Sequence, residues 1–150
     1  MTSRDRPQGP GDSPGFLLWG VTLAWQRQVT AALRPLGLTH VQFVLLASTH
    51  WLTRDGGSGP SQRELADQAG TDIMMTSTVV RTLERAGLVE RHPDPADARV
   101  KRLAPTSAGH ELAETAMVTV EAVDRDFFAR AGDPRCALAL LQQLAAPRDE

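Results

Sequence analysis

The sequence predicts a mainly α-helical fold carrying one small β-hairpin, and three observations predict it. Apolar residues recur at helical spacing over most of the chain. Capping residues, glycines and prolines punctuate those stretches where helices should start and stop. Between Leu88 and Leu103 the pattern changes to short-range alternation, in two segments flanking a turn-rich tip. At 150 residues, with 41% hydrophobic and 23% charged side chains, the chain has the length and composition of one globular domain. Residues 1–15, MTSRDRPQGPGDSPG, read as a disordered tail, because Pro, Gly and polar residues bury too little surface to offset ordering. Residues 16–150 read as the domain.

The first helix spans about 16–36, with Leu18, Val21, Trp25, Val29 and Leu33 on one face and Pro35 and Gly37 as its stop. Thr39 and Gln42 form a capping box ahead of VQFVLLASTHWL, a helix apolar nearly all round and therefore expected to be buried. TRDGGSGP is a loop. Ser61 and Glu64 form a second capping box, opening SQRELADQA, which Gly70 ends. Asp72 can cap IMMTSTVVRTLERA, where Val79, Val80 and Leu83 make a buried stripe and Gly87 a left-handed stop. LVERH and RVKRL follow as strands around PDPADA. A long helix runs from Ser107 to Arg130, and Asp133-Pro134 opens a last apolar one, RCALALLQQLAA.

A short helix, a tight turn, a second helix and then a two-stranded hairpin is the order of a winged helix-turn-helix. Its second helix must be apolar on one side and small or polar on the other to enter a major groove about 12 Å wide. Thr76, Ser77, Thr78 and Arg81 supply the polar side; the alternative is an exposed helix face that binds nothing. A net charge of −2 argues against a nucleic-acid partner. Its distribution argues the other way, since residues 81–102 hold six basic side chains (Arg81, Arg85, Arg91, Arg99, Lys101, Arg102) against four acidic ones.

The segment LADQAGTDIMMTSTVVRTLERAGLVERHPDPADARV resembles the MarR family of bacterial regulators, and the likeness extends from Phe16 to Ala146. It carries the helix-turn-helix, the Gly-Leu-Val strand start and the Asp-x-Arg wing without a gap, with Thr106 and Gly109 placed after the wing as the family places them. The resemblance implies a winged lobe at about 39–105 flanked by dimerisation helices at about 16–36 and 107–146. It implies a homodimer that binds a pseudo-palindromic double-stranded DNA operator and represses transcription in response to a ligand. By position, Arg99 would enter the minor groove and Asp97 would orient it, unless the two only stabilise the hairpin; Lys101 joins them as a candidate contact. Ile73, Met74 and Met75 depart from the polar start usual in the family, although an apolar side chain can meet a thymine methyl.

The remaining residues set the limits of that reading. His40, His50, His92 and His110 are scattered, and a single cysteine allows no paired-cysteine site, so no metal and no cofactor are expected. Cys136, in an apolar helix, is expected to be a small buried side chain; the alternative is a thiol-based oxidant sensor. Trp19 and Trp51 are candidates for a pocket taking a small aromatic or other apolar effector, against the alternative of core or dimer contacts. There is no nucleophile–base constellation and no phosphate loop, which points away from an enzyme. No apolar run is long enough to cross a bilayer and no secretory signal is seen, so a cytoplasmic protein is expected. The competing class is a winged protein-interaction module without DNA binding.

Overall fold

The computed structural model describes residues 9–147. Helix α1 (Pro14–Leu33) starts two residues before the apolar pattern does. Ser13 Oγ accepts from the Phe16 amide, and Pro14 occupies the first turn, where its missing N–H costs no hydrogen bond. A 3-10 turn, Pro10–Asp12, precedes it, so residues 9–15 are not the structureless segment expected; residues 1–8 of that segment lie outside the described residues. The helix closes through a second 3-10 turn, Arg34–Leu36, with Gly37 left-handed at φ 72°.

Both predicted capping boxes form. Ahead of α2 (His40–Thr53), the Thr39 amide donates to Gln42 Oε1 at 2.9 Å and the Gln42 amide to Thr39 Oγ1 at 3.2 Å. Ahead of α3 (Gln62–Ala69), the Ser61 amide donates to Glu64 Oε2 at 2.6 Å and the Glu64 amide to Ser61 Oγ at 3.2 Å. Gly70 turns the chain at φ 65°, and Asp72 caps α4 (Ile73–Arg85) by accepting from the Met74 and Met75 amides at 2.8 and 3.0 Å.

Strands β1 (Val89–Pro93) and β2 (Lys101–Pro105) pair antiparallel, Val89 opposite Pro105 and Pro93 opposite Lys101. The loop after α2 is tied to this hairpin, because the Leu103 amide donates to the Pro60 carbonyl at 2.8 Å. Helix α5 (Ser107–Phe128) is capped by Thr106, whose hydroxyl accepts from the Gly109 amide at 3.0 Å and donates to the Gly87 carbonyl at 2.6 Å. Gly109 has a steric reason: a side chain there would overlap the Leu88 carbonyl. After a 3-10 turn, α6 (Pro134–Ala145) follows, capped by Asp133.

The core is drawn from α1 to α5 and the hairpin: Val29, Leu33, Leu45, Leu46, Leu65, Val80, Leu83, Val89, Leu103, Ala113, Ala116 and Val120 are buried together. A leucine taken fully out of water contributes about 1.5–3 kcal/mol, so this cluster is what holds the hairpin and α4 against the helical body. Helix α2 runs through it as expected, its buried Thr49 hydroxyl donating to the Leu45 carbonyl at 2.8 Å. Helix α6 has no buried residue, and the first half of α1 exposes Phe16, Leu17, Leu18 and Trp19. Among the described residues no single helix is long and apolar enough to cross a membrane. The pair α1–α2 passes that test only together, bent by 75°.

Candidate nucleic-acid interface

Helix α4 presents two sides fixed by its spacing. Thr76, Val80 and Leu83, at i, i+4 and i+7, are buried. Met74, Thr78, Arg81 and Arg85 form the opposite, exposed stripe. The Arg81 guanidinium donates to Ser77 Oγ at 3.2 Å, Thr78 Oγ1 to the Met74 carbonyl at 3.1 Å, and the Arg85 guanidinium to Thr82 Oγ1 at 3.3 Å. Neither Arg81 nor Arg85 has a carboxylate partner among the described residues, so both charges are free for an anion.

One expected contact is corrected. Thr76 is fully buried, and its hydroxyl donates to the Asp72 carbonyl at 2.8 Å and lies 2.8 Å from Thr71 Oγ1. It locks the first turn of α4 to the turn before it and cannot reach a ligand from the surface. The i, i+4, i+7 relation to Val80 and Leu83 was the signal, masked by the polar residue type. Ser77 is half-buried and Thr78 exposed.

The wing is a turn built on Asp94. Its Oδ1 accepts from the Ala96 and Asp97 amides at 2.7 and 3.1 Å, and the Asp94 amide donates to the Val100 carbonyl at 2.9 Å. Beyond it, Arg99 donates to Asp97 Oδ1 from its backbone amide at 3.0 Å and from Nε at 3.2 Å. The Arg99 side chain is 92% exposed, so Asp97 orients a cation that touches nothing of the core. Lys101 is exposed at the strand end beside it.

Arg102 was not among the expected site residues, yet it fixes the wing. It donates from Nε to Asp94 Oδ2 and from Nη1 to Glu64 Oε2 at 2.6 Å, joining the wing turn to the cap of α3. The Arg102 hydrogen bond, then the Ala96 amide, hold the Asp94 carboxyl below its ordinary range. Glu64 is lowered chiefly by its bonds with Ser61, with Arg102 adding to them. The sequence signal was Asp94 before a proline, in a turn whose carboxylate needs a cation; no spacing rule names a partner eight residues on.

A second feature lies on the other side of α2. A cavity of about 410 Å³ is lined by Trp25 of α1, His40, Phe43 and Trp51 of α2, and Glu121 and Asp124 of α5, among others. Of the two tryptophans expected in a pocket, Trp51 lines it. Trp19 does not: it is 65% exposed on the part of α1 that runs past the body, and Trp25, further along the same helix, takes its place. Cys136 is also corrected, since it is exposed and not packed as a buried hydrophobe. Helix α6, which carries it, has no buried residue among those described.

A buried-and-anchored second helix, a preceding short helix turned by glycine and a charged hairpin define a winged helix-turn-helix of the DNA-reading kind. The model of the MarR family matches residues 38–101. An uncharacterized HTH-type transcriptional regulator of Bacillus subtilis, YdcH, is 46% identical over 136 residues, 91% of this chain and 92% of its own. The HTH-type transcriptional repressor Rv2887 of Mycobacterium tuberculosis is 36% identical over 83% of this chain and 86% of its own. Solved structures agree: CouR from Rhodococcus jostii, bound to p-coumaroyl-CoA, superposes with a TM-score of 0.80 at 32% identity, over 96% of this chain and 99% of its own. Rv2887 in complex with DNA gives 0.69 at 32% identity, over 89% and 98%, and it has also been solved with p-aminosalicylic acid. The chain belongs to the MarR family of transcriptional regulators.

Proposed function

We propose that the protein is a ligand-responsive repressor that binds a pseudo-palindromic operator as a homodimer, and that it acts in the cytoplasm by occupancy and not by catalysis. The observation that carries this reading is the exposed stripe Met74–Thr78–Arg81–Arg85 on α4, beside a wing whose Arg99 is 92% exposed and oriented by Asp97. Helix α4 enters the major groove, where Ser77, Thr78 and Arg81 meet base edges or phosphates and Met74 meets a thymine methyl. Arg99 enters the adjacent minor groove, whose negative potential rewards an inserted cation, while Lys101 meets the backbone. A homodimer is supported by the exposed apolar residues of α1 and α6, since large contiguous apolar patches are rare on monomers.

The cavity behind α2 is the effector site in this reading. A small aromatic or apolar molecule held between α1, α2 and α5 favours a dimer whose two reading heads are wrongly spaced, so operator is released. Selection of bound sites from a random DNA pool tests the whole. The expected product is two related half-sites with centres about one helical turn, roughly 34–36 Å, or a multiple apart. Recovery of no enriched site, or of single unpaired half-sites, overturns it.

A further inference from the structure

The chemistry of the cavity's wall narrows what can occupy it. Glu121 and Asp124, three residues apart on α5, share a helix face and both line the space, and no residue lining it is Lys or Arg. Asp124 is held in place by α1: the Trp25 indole donates to its Oδ1 at 2.7 Å. Its second oxygen accepts from no described residue, and Glu121 has no partner among them. His40, whose ring meets Trp25 edge to face at 5.1 Å between centroids, is disfavoured as a source of positive charge. Burial lowers its pKa, against the pull of Asp124.

Aromatic rings complete the wall, with Trp25, Phe43 and Trp51 all bordering the space. The Trp51 ring already hosts a cation, for the Arg54 guanidinium, which does not line the cavity, lies over it at 4.8 Å from the centroid. An anionic ligand would meet two like charges and no counter-charge in a partly desolvated space. A cation meets both carboxylates and the negative faces of the rings.

We infer that this cavity takes an aromatic organic cation, with Asp124 and Glu121 as counter-charges and Trp25, Trp51 and Phe43 as ring contacts. The inference rests on reading the cavity as the effector site, and it specifies the ligand's charge and class.

The test is calorimetric titration of the intact protein, without DNA, with three probes that share a 2-naphthylmethyl group and differ in charge. They are (2-naphthylmethyl)trimethylammonium, 2-naphthylmethanol and 2-naphthylacetate. The ammonium should bind roughly tenfold more tightly than the alcohol, as cation–π and charge pairing in a partly desolvated site allow, and the acetate should bind weakest. Asp124→Asn keeps an oxygen for the Trp25 indole and removes the charge. It should weaken the ammonium by roughly tenfold while leaving the alcohol nearly unchanged, and Glu121→Gln should do the same more mildly. A purely structural role for Asp124 would move both probes alike. The inference is overturned if the acetate binds as tightly as the ammonium, if no probe binds, or if Asp124→Asn weakens ammonium and alcohol equally. Operator binding is measured separately, so its failure overturns the repressor reading and leaves these titrations standing. An ammonium probe that binds without releasing operator supports the ligand class and overturns the effector role.

Discussion

The winged lobe and the terminal helices contain similar amounts of leucine, yet they use it in opposite ways. In the lobe, Leu45, Leu46, Leu65, Leu83 and Leu103 are all within 2% of full burial, and every helix start is closed by a side chain. At the ends, Leu17 and Leu18 of α1 and Leu138, Leu140, Leu141 and Leu144 of α6 are between 42% and 68% exposed. The lobe's leucines are covered in a core shared with Val29 and Leu33 of α1 and Ala113, Ala116 and Val120 of α5. The leucines at the outer ends are not, and a trough of about 600 Å³ bordered by Phe16, Val21, Phe128 and Leu144 lies open there. The comparison teaches that the reading head shares one buried core with the adjoining parts of α1 and α5, whereas the start of α1 and all of α6 leave apolar surface uncovered.

The strongest way to break that contrast is to charge the open face. The double variant Leu141→Glu, Leu144→Glu should convert the dimer to a monomer in sedimentation while helical circular dichroism is retained, because neither residue supports the chain's own core. A dimer that survives both charges places the interface elsewhere. Inside the lobe the same residue type should behave differently: Leu45→Ala, at a fully buried position, should lower unfolding free energy by about 2–5 kcal/mol in denaturant titrations.

The proposed DNA-contact residues sharpen the comparison, because they lie on the lobe but contribute little to its packing. Arg99→Ala should weaken operator binding by about 1–3 kcal/mol, by analogy with a good specific contact. It should also flatten the salt dependence and leave the melting temperature unchanged. Asp97→Ala should give a milder form of the same defect, since it loosens the orientation and keeps the charge. Thr76→Val should do the reverse, costing about 1 kcal/mol of stability through the lost hydroxyl contacts with Asp72 and Thr71 and not through a DNA contact.

The smallest expected effect is the pH response of the wing anchor. Asp94 and Glu64 are both lowered in the folded protein, so their contribution to stability is present above their unfolded values and is lost as pH falls through the folded ones. Carboxyl carbon titration by NMR should show Arg102→Gln raising Asp94 more than Glu64. The first cause at Asp94 is Arg102, whereas at Glu64 it is Ser61. Equal movement of the two would mean that the wing and the α3 cap are not held as described.

Local chemistry made much of this legible in advance. Thr39, Ser61, Asp72 and Asp133 each cap a helix because a short polar side chain ahead of an apolar period has one nearby set of free amides to satisfy. Asp97 and Arg99 lie two residues apart, so their pairing is likewise local. Thr76 was misread because a polar residue type outweighed its helical phase. Trp19 lies outside the described cavity, on the exposed start of α1, because periodicity assigns a face without saying where along the helix the body ends.

By itself, then, the sequence determined the order of elements, their caps, the turn at Gly70 and the projecting wing, since each depends on residues a few positions apart. Tertiary structure alone decided the rest. It brought Arg102 to Glu64 across 38 positions, Trp25 to Asp124 across 99, and left the apolar start of α1 and the apolar side of α6 exposed. Such contacts follow from how whole helices pack, and packing depends on the summed shape of many side chains, which no local pattern encodes.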